Sequence, residues 1–278
     1  MKPLFGITLL LGVLLCACDQ EAPAPRIEVA LPYYFEDDFE TATGSLDELF
    51  EPANSRWSGV QNVSPGGGTN LLALDTTNAA EGRTALSCTA FPSDAVLSKI
   101  DIEKQGFFAP VGSTVIIEAD FYLPPADQRE DLFLIDLECC SCWDPTVADN
   151  QCPGIRLKFN APGDYLAIER GKILGTTLGQ TERAFPSEEW VSVKWEMQLS
   201  DTDSGSNRLF INQQQVIDQR AGNLPNAEAF RAEFAANGID FELQEPPGYD
   251  RVQIGATANP TEHQQHLLVD NFRLSIVE

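Results

Sequence analysis

The sequence predicts an all-β protein: a two-sheet antiparallel β-sandwich of the jelly-roll type, with one short helix in a late loop. Three observations carry this. Apolar and polar residues alternate with a period of two in one short segment after another. Turn residues separate those segments, among them Pro65-Gly66-Gly67-Gly68, Pro124-Pro125, Pro162-Gly163, Asp203-Ser204-Gly205 and Asn259-Pro260. Only one longer stretch has helix start and stop signals, with Asn226 to cap Ala227–Ala236, Phe230 and Phe234 one turn apart, and Asn237-Gly238 to close it. Helices do not alternate with strands, which argues against a parallel α/β sheet.

Taken in order, Tyr33–Glu40 opens the domain as an aromatic, acidic strand. Ser45-Leu46-Asp47-Glu48 fits a capping box and predicts a helical turn over Ser45–Phe50. Short strands follow at Trp57–Val63, Leu71–Leu74, Thr84–Phe91 and Ala95–Lys104. Gly112–Leu123 is a strong strand, with Val115, Ile117, Ala119, Phe121 and Leu123 on one face and Glu118, Asp120 and Tyr122 on the other. Later strands are expected at Asp164–Leu174, Trp190–Leu199, Arg208–Asp218, Arg251–Ala258 and His266–Val277. The excursion Gly222–Tyr249 is long enough to shape a ligand rim.

The centre of the chain is Asp131–Asn160, two strands joined by a cysteine-bearing loop. Phe133, Ile135 and Leu137 form one face, and Asp136 and Glu138 end the other. The return strand places Ile155, Leu157 and Phe159 against Arg156 and Lys158. Two acids and two bases then share a surface opposite the core. Lys99, Asp101, Glu118, Asp120, Tyr122, Asp136, Glu138, Arg156 and Lys158 are the candidate ligand-contacting residues. The competing view is a solvated face laced by cross-strand ion pairs. Trp190 and Trp195 fall on opposite faces of one strand, one for the core and one free to stack on a ligand ring. Asp201, Asp203 and Asn207 have the composition of a calcium loop but also of a hairpin turn, which we favour; no cofactor or metal is otherwise expected.

The start of the chain reads as an export signal. Lys2, then the apolar run Leu4–Leu15, then Leu15-Cys16-Ala17-Cys18, resembles a bacterial lipoprotein signal. The resemblance implies cleavage after residue 17 and lipidation of Cys18, a Pro- and Ala-rich tether over 18–32, and a jelly-roll domain over 33–278. It places the protein in the bacterial cell envelope, at the outer membrane or cell surface, with the inner membrane as the alternative because Asp19 follows the anchor. Contact with the membrane is then through the lipid only. A formal charge of -24 argues against nucleic acid and anionic lipid surfaces as partners. In an oxidising compartment Cys88, Cys139, Cys140, Cys142 and Cys152 are disulfide candidates before metal ligands. Five is odd; Cys142 with Cys152 is the preferred pair, and Cys88 with Cys139 or Cys140 a second.

Asp37-Asp38-Phe39-Glu40, Trp190–Trp195, Arg208–Val216 and Leu268-Val269-Asp270-Asn271-Phe272, in this order, resemble the concanavalin A-like lectin/glucanase superfamily, including laminin-G-like and polysaccharide-lyase-like members. The resemblance implies two antiparallel sheets and a concave face that binds glycan. Leu134-Ile135-Asp136-Leu137-Glu138 is similar to the E-I-D-I-E motif of laminarinase-type glycoside hydrolases, but Leu134 stands where that family has its nucleophile. Lys99-Ile100-Asp101-Ile102-Glu103 is a second near match, with Lys99 at that position, and also a loose analogue of the lyase R-x-E-L pattern. Tyr122, Tyr165 or His266 could supply a lyase base, and Arg156 or Lys158 the cation facing a uronate carboxylate. The catalytic residues stay unassigned. The leading reading is carbohydrate binding, with a polysaccharide or oligosaccharide as partner; a polysaccharide lyase is next, a glycoside hydrolase after it, and a structural envelope lipoprotein is the other alternative.

Overall fold

A computed structural model of the chain describes residues 30–52, 56–64, 68–92, 98–125, 129, 131–142, 152–160, 163–171, 175–225, 232, 235–236, 238, 243, 246–260 and 262–278. The expected leader, Cys18 and the expected tether up to residue 29 lie outside the described residues, as does most of the helix expected over Ala227–Ala236; its described members Ala232, Ala235 and Ala236 are helical.

The described strands, numbered along the chain, form two large antiparallel sheets and a small ribbon. The front sheet runs, edge to edge, through β11 (Thr176–Ala184), β10 (Tyr165–Arg170), β9 (Gly154–Asn160), β8 (Phe133–Glu138), β16 (Arg251–Asn259), β5 (Ser98–Lys104) and β2 (Gly59–Val63). The back sheet runs through β14 (Gln214–Arg220), β13 (Ser206–Ile211), β12 (Trp190–Gln198), β7 (Thr114–Tyr122), β17 (Gln265–Val277), β4 (Ala85–Ala90) and β3 (Leu71–Asp75), and β1 (Tyr33–Asp37) pairs with β17. β6 (Ala109–Pro110) and β15 (Gly248–Tyr249) make the ribbon.

Alternation decides what fills the space between the sheets. Val115, Ile117, Ala119 and Phe121 of β7, Val191, Val193, Trp195 and Met197 of β12, and Ile155, Leu157 and Phe159 of β9 are all buried in one core. Close contact fixes one backbone feature of β16. Gly255 has φ +131, and a Cβ there would come within 2.9 Å of the Ile100 carbonyl oxygen and 3.0 Å of Cys88 Sγ.

Three sequence expectations change. The stretch Arg208–Asp218 is a hairpin, not one strand: Asn212 and Gln213 take positive φ (48° and 67°) and turn the chain from β13 into β14. Strand β11 was not expected, because its residues Thr176, Thr177, Gln180, Glu182 and Arg183 are polar and it lies at a sheet edge. The helical turn at Ser45 is a 3-10 helix, Leu46–Phe50, capped by Ser45 Oγ accepting from the Asp47 N–H at 3.3 Å.

Candidate functional site

The outer face of the front sheet carries the polar residues of seven strands in register. Straight across it run Gly59, Glu103, Gln253, Asp136, Arg156, Glu169 and Thr177. One neighbouring row holds Gln61 and Asp101 on one side and Phe133, Lys158, Ala167 and Gln180 on the other. A third pairs Arg251 with Glu138. Cross-strand pairing of acid, amide and base is how such a face stabilises itself.

A local irregularity shapes its middle. The β8–β9 register shifts between Phe133 and Ile135, so one extra residue is taken up in β8. Phe133 therefore sits on the polar face, and not with Ile135 and Leu137 as simple alternation predicts. The Arg156 and Lys158 cations lie 4.7 and 5.3 Å from its ring centroid. Leu134 joins the hydrophobic core. The position where the hydrolase motif carries its nucleophile is thus occupied by a fully buried core leucine.

Ion pairs tie the face together. Lys158 Nζ lies 2.7 Å from Asp131 Oδ1 and 3.0 Å from Glu169 Oε2. Burial opposes its charge, but Asp131 and Glu169 outweigh that and raise its pKa. Arg156 is held more loosely, at 3.5 Å from Asp136 and 3.8 Å from Glu169. Arg251 grips Glu138, with Nε to Oε2 at 2.7 Å, and reaches Glu103 at 3.4 Å. Towards the β2 edge, Lys99 donates to Gln61 at 2.8 Å and Gln61 donates to Glu103 at 2.9 Å.

Although it is the outside of a sheet, the centre of this face is closed to bulk water. Asp101, Gln253 and Glu138 are 0 % exposed, and Asp136, Arg156 and Lys158 are 5, 6 and 9 % exposed. Several buried atoms there have no hydrogen-bond partner among the described residues: both carboxylate oxygens of Asp101, both amide atoms of Gln253, Asp136 Oδ1 and Arg156 Nε. Burial raises the Asp101 pKa well above the carboxylate range; Lys99 opposes this, while Glu138, Asp136 and Glu103 add to it. The flanks are more open: Gln61, Lys99 and Glu103 on one side and Asn160, Tyr165 and Gln180 on the other are partly or fully exposed.

The candidate residues divide between the two sheets. Lys99, Asp101, Asp136, Glu138, Arg156 and Lys158 share the front face. Glu118, Asp120 and Tyr122 do not, because β7 pairs with β12 and β17 and so belongs to the back sheet. There Asp120 accepts from Asn271 at 2.8 Å, and the Tyr122 and Trp190 rings meet at 5.7 Å. Trp195 is the core tryptophan, whereas Trp190 is on the back face and donates to Asn78 at 2.9 Å. His266, at 3.0 Å from Ser87 Oγ, is also a back-sheet residue. Of the candidate bases only Tyr165 stands on the front face, opposite Asn160. Gln61, Glu103, Glu169, Arg251 and Gln253 complete the front face; the same two-residue alternation in Arg251-Val252-Gln253-Ile254 was the signal for the last two. The residues Asp201, Asp203 and Asn207 belong to the β12–β13 hairpin, where the hydroxyls of Ser200, Thr202 and Ser204 bond to one another at 2.8–3.0 Å and Asn207 is fully buried.

The cysteine pairing also differs from expectation. The disulfide joins Cys139 to Cys142, with their Cα atoms 5.3 Å apart, not Cys142 to Cys152. Cys88 is buried in the core beside Gly255, where burial and then Asp101 raise its thiol pKa, and it makes no bridge to Cys139 or Cys140. Glu138, Cys140 and Cys152 bring possible ligand atoms within 4.8 Å of one another. The Arg251 guanidinium lies against Glu138 and 3.5 Å from Cys152 Sγ, so a cation already occupies their neighbourhood.

A cleft of about 490 Å³ lies elsewhere, among Glu36, Asp37, Glu40, Arg56, Asn271 and Arg273. Its buried acid Asp37 is already satisfied by Arg56, Trp57 and the Phe39 N–H. Among the described residues no helix is long and apolar enough to cross a membrane.

No protein-family model and no curated protein matches the chain. Solved structures do match. An endo-beta-1,4-glucuronan lyase from the fungus Trichoderma reesei superposes with a TM-score of 0.57 at 9% identity, over 80% of this chain and 90% of that one. The cellulose induced protein Cip1 gives 0.56 at 16% identity, over 87% and 96%. A marine PL-14 alginate lyase from Aplysia kurodai gives 0.52 at 12% identity, over 88% and 98%. At these identities the likeness is one of fold, and it agrees with a concanavalin-like sandwich.

Proposed function

We propose that this chain binds carbohydrate on the polar face of the front sheet. The observation that carries the proposal is the set of buried polar atoms on that face with no hydrogen-bond partner among the described residues: those of Asp101 and Gln253, and Asp136 Oδ1 and Arg156 Nε, which face each other only as a loose ion pair at 3.5 Å. An unpaired buried polar group costs on the order of 1–3 kcal/mol, so a face that keeps several is poorly explained as a structural ion-pair layer. Sugar hydroxyls, which both donate and accept, match a surface of mixed acid, amide and base. The exposed flanks at Gln61–Lys99 and Asn160–Tyr165 are where a glycan first engages, and binding of this kind needs no nucleophile at Leu134. Affinity electrophoresis of the full chain against neutral and uronate polysaccharides tests it. Retardation that is lost in Asp136→Ala/Glu138→Ala and kept in Glu118→Ala/Asp120→Ala supports the front face; the reverse pattern contradicts it.

A polysaccharide lyase is the second reading. Tyr165 shares the front face with Arg156 and Lys158, so a base and a cation for a uronate carboxylate stand on one surface. Ultraviolet absorbance from an unsaturated product, abolished in Tyr165→Phe, would turn the reading that way. We also read the start of the chain as a lipoprotein leader with Cys18 lipidated and 33–278 as the exported domain; the mass of the mature N-terminal peptide from a bacterial host checks this.

A further inference from the structure

The β8–β9 ladder ends on Glu138 opposite Gly154. One step beyond, the Cys139 N–H donates to the Pro153 carbonyl at 2.8 Å, which continues the same register. The next step places Cys140 opposite Cys152. In an antiparallel ladder, hydrogen-bonded and non-hydrogen-bonded pairs alternate, and the second kind brings Cα atoms closer, to about 4.5 Å. Because Cys139 occupies the bonded position, Cys140 and Cys152 take the close one. The thiols do lie close: their Sγ atoms are within 4.8 Å of each other.

Alternation also sorts the partners. Cys139 is a fully buried member of the core and bonds Cys142 from that side. Its neighbour Cys140 points to the opposite layer, towards Glu138 at 3.7 Å. Adjacent cysteines on opposite faces do not compete for one partner. We infer that Cys140 and Cys152 form a second disulfide, closing the β8–β9 connection at the rim of the polar face, beside Glu138 and Arg251.

The donor is a thiol oxidant of the disulfide class, oxidised glutathione or a protein disulfide. One cysteine thiolate attacks a donor sulfur and gives a mixed disulfide and one donor thiol. The second cysteine thiolate then displaces the other donor thiol. Two protons and two electrons pass from the pair to the donor, which becomes two thiols. In the folded chain the Cys152 contact, burial and Glu138 all keep the Cys140 thiol protonated. The exchange therefore runs faster while the hairpin is still open.

The test is differential alkylation of the full chain after refolding with oxidised glutathione. Thiols are blocked in denaturant with one reagent, disulfides are reduced, and the released thiols take a heavier reagent before peptide mapping. The inference predicts the heavy label on Cys139, Cys140, Cys142 and Cys152 and the light label on Cys88. In Cys152→Ser, Cys140 alone should move to the light label. Light label on both Cys140 and Cys152 in the unsubstituted chain overturns the inference, and so does heavy label on Cys140 in Cys152→Ser.

Discussion

The two sheets present outer faces of similar composition and opposite character. On the back sheet Lys194, Arg208 and Arg273 pair with Glu196 and Glu36, and their side chains remain 37, 49 and 60 % exposed. On the front sheet Arg156 and Lys158 pair with Asp136, Asp131 and Glu169 with only 7 and 11 % of their side chains exposed. The first set stays solvent-exposed, so its pairs add little stability. The second set leans mostly on its neighbours, and two of its atoms, Asp136 Oδ1 and Arg156 Nε, face each other at 3.5 Å without a hydrogen bond. Alternating charges along a strand thus describe two different objects, which differ in how far their side chains are buried.

The comparison is sharpest where one charge is removed. Arg156→Ala should cost about 3–5 kcal/mol in urea unfolding, because it leaves Asp136 buried without its cation. A cost under about 1 kcal/mol would mean that the front face is solvated after all. Gly255→Ala should cost about 2 kcal/mol, since its φ of +131 and the 2.9 Å approach to the Ile100 carbonyl oxygen leave no room for a Cβ. A cost near zero would show that β16 can relax there.

A buried acid of the back sheet gives a pH test. The Asp270 pKa is raised to about 6, by burial first, against the pull of the Glu81, Asn271 and Ala80 N–H groups. Its contribution to stability is therefore complete below its unfolded pKa near 4 and is lost as pH rises through about 6. Across that window unsubstituted chain should lose on the order of 2 kcal/mol relative to Asp270→Asn. A difference that is flat from pH 4 to 7 would contradict it. The smallest effect belongs to the exposed side: Arg208→Ala, which removes a 2.7 Å pair with Glu196, should change stability by about 0–1 kcal/mol.

Much of this was legible in the sequence. The period-two pattern of Gly112–Leu123 gave β7 and its two faces correctly, and the same pattern located the acids and bases of β8 and β9. The pattern does not say which sheet a strand joins, so Glu118, Asp120 and Tyr122 were grouped with residues on the far side of the sandwich. It also assumes an unbroken ladder, and the extra residue between Phe133 and Ile135 changed the face of Phe133. Strand β11 carries no apolar stripe because it covers an edge, and the hairpin at Asn212-Gln213 lacks the glycine that marks such turns. The Cys139–Cys142 bridge joins residues three apart just past β8, and a spacing count does not choose between it and Cys142–Cys152.

The most direct measurement is on Gln253, at the middle of the front row, fully buried with both amide atoms unpartnered among the described residues. Gln253→Leu keeps the volume and removes only the polar atoms. Stability and glycan affinity are measured on the same preparation. If the face serves a ligand, stability is kept or rises while affinity falls roughly tenfold. Lost stability with unchanged affinity would contradict the account and make the front face a structural layer.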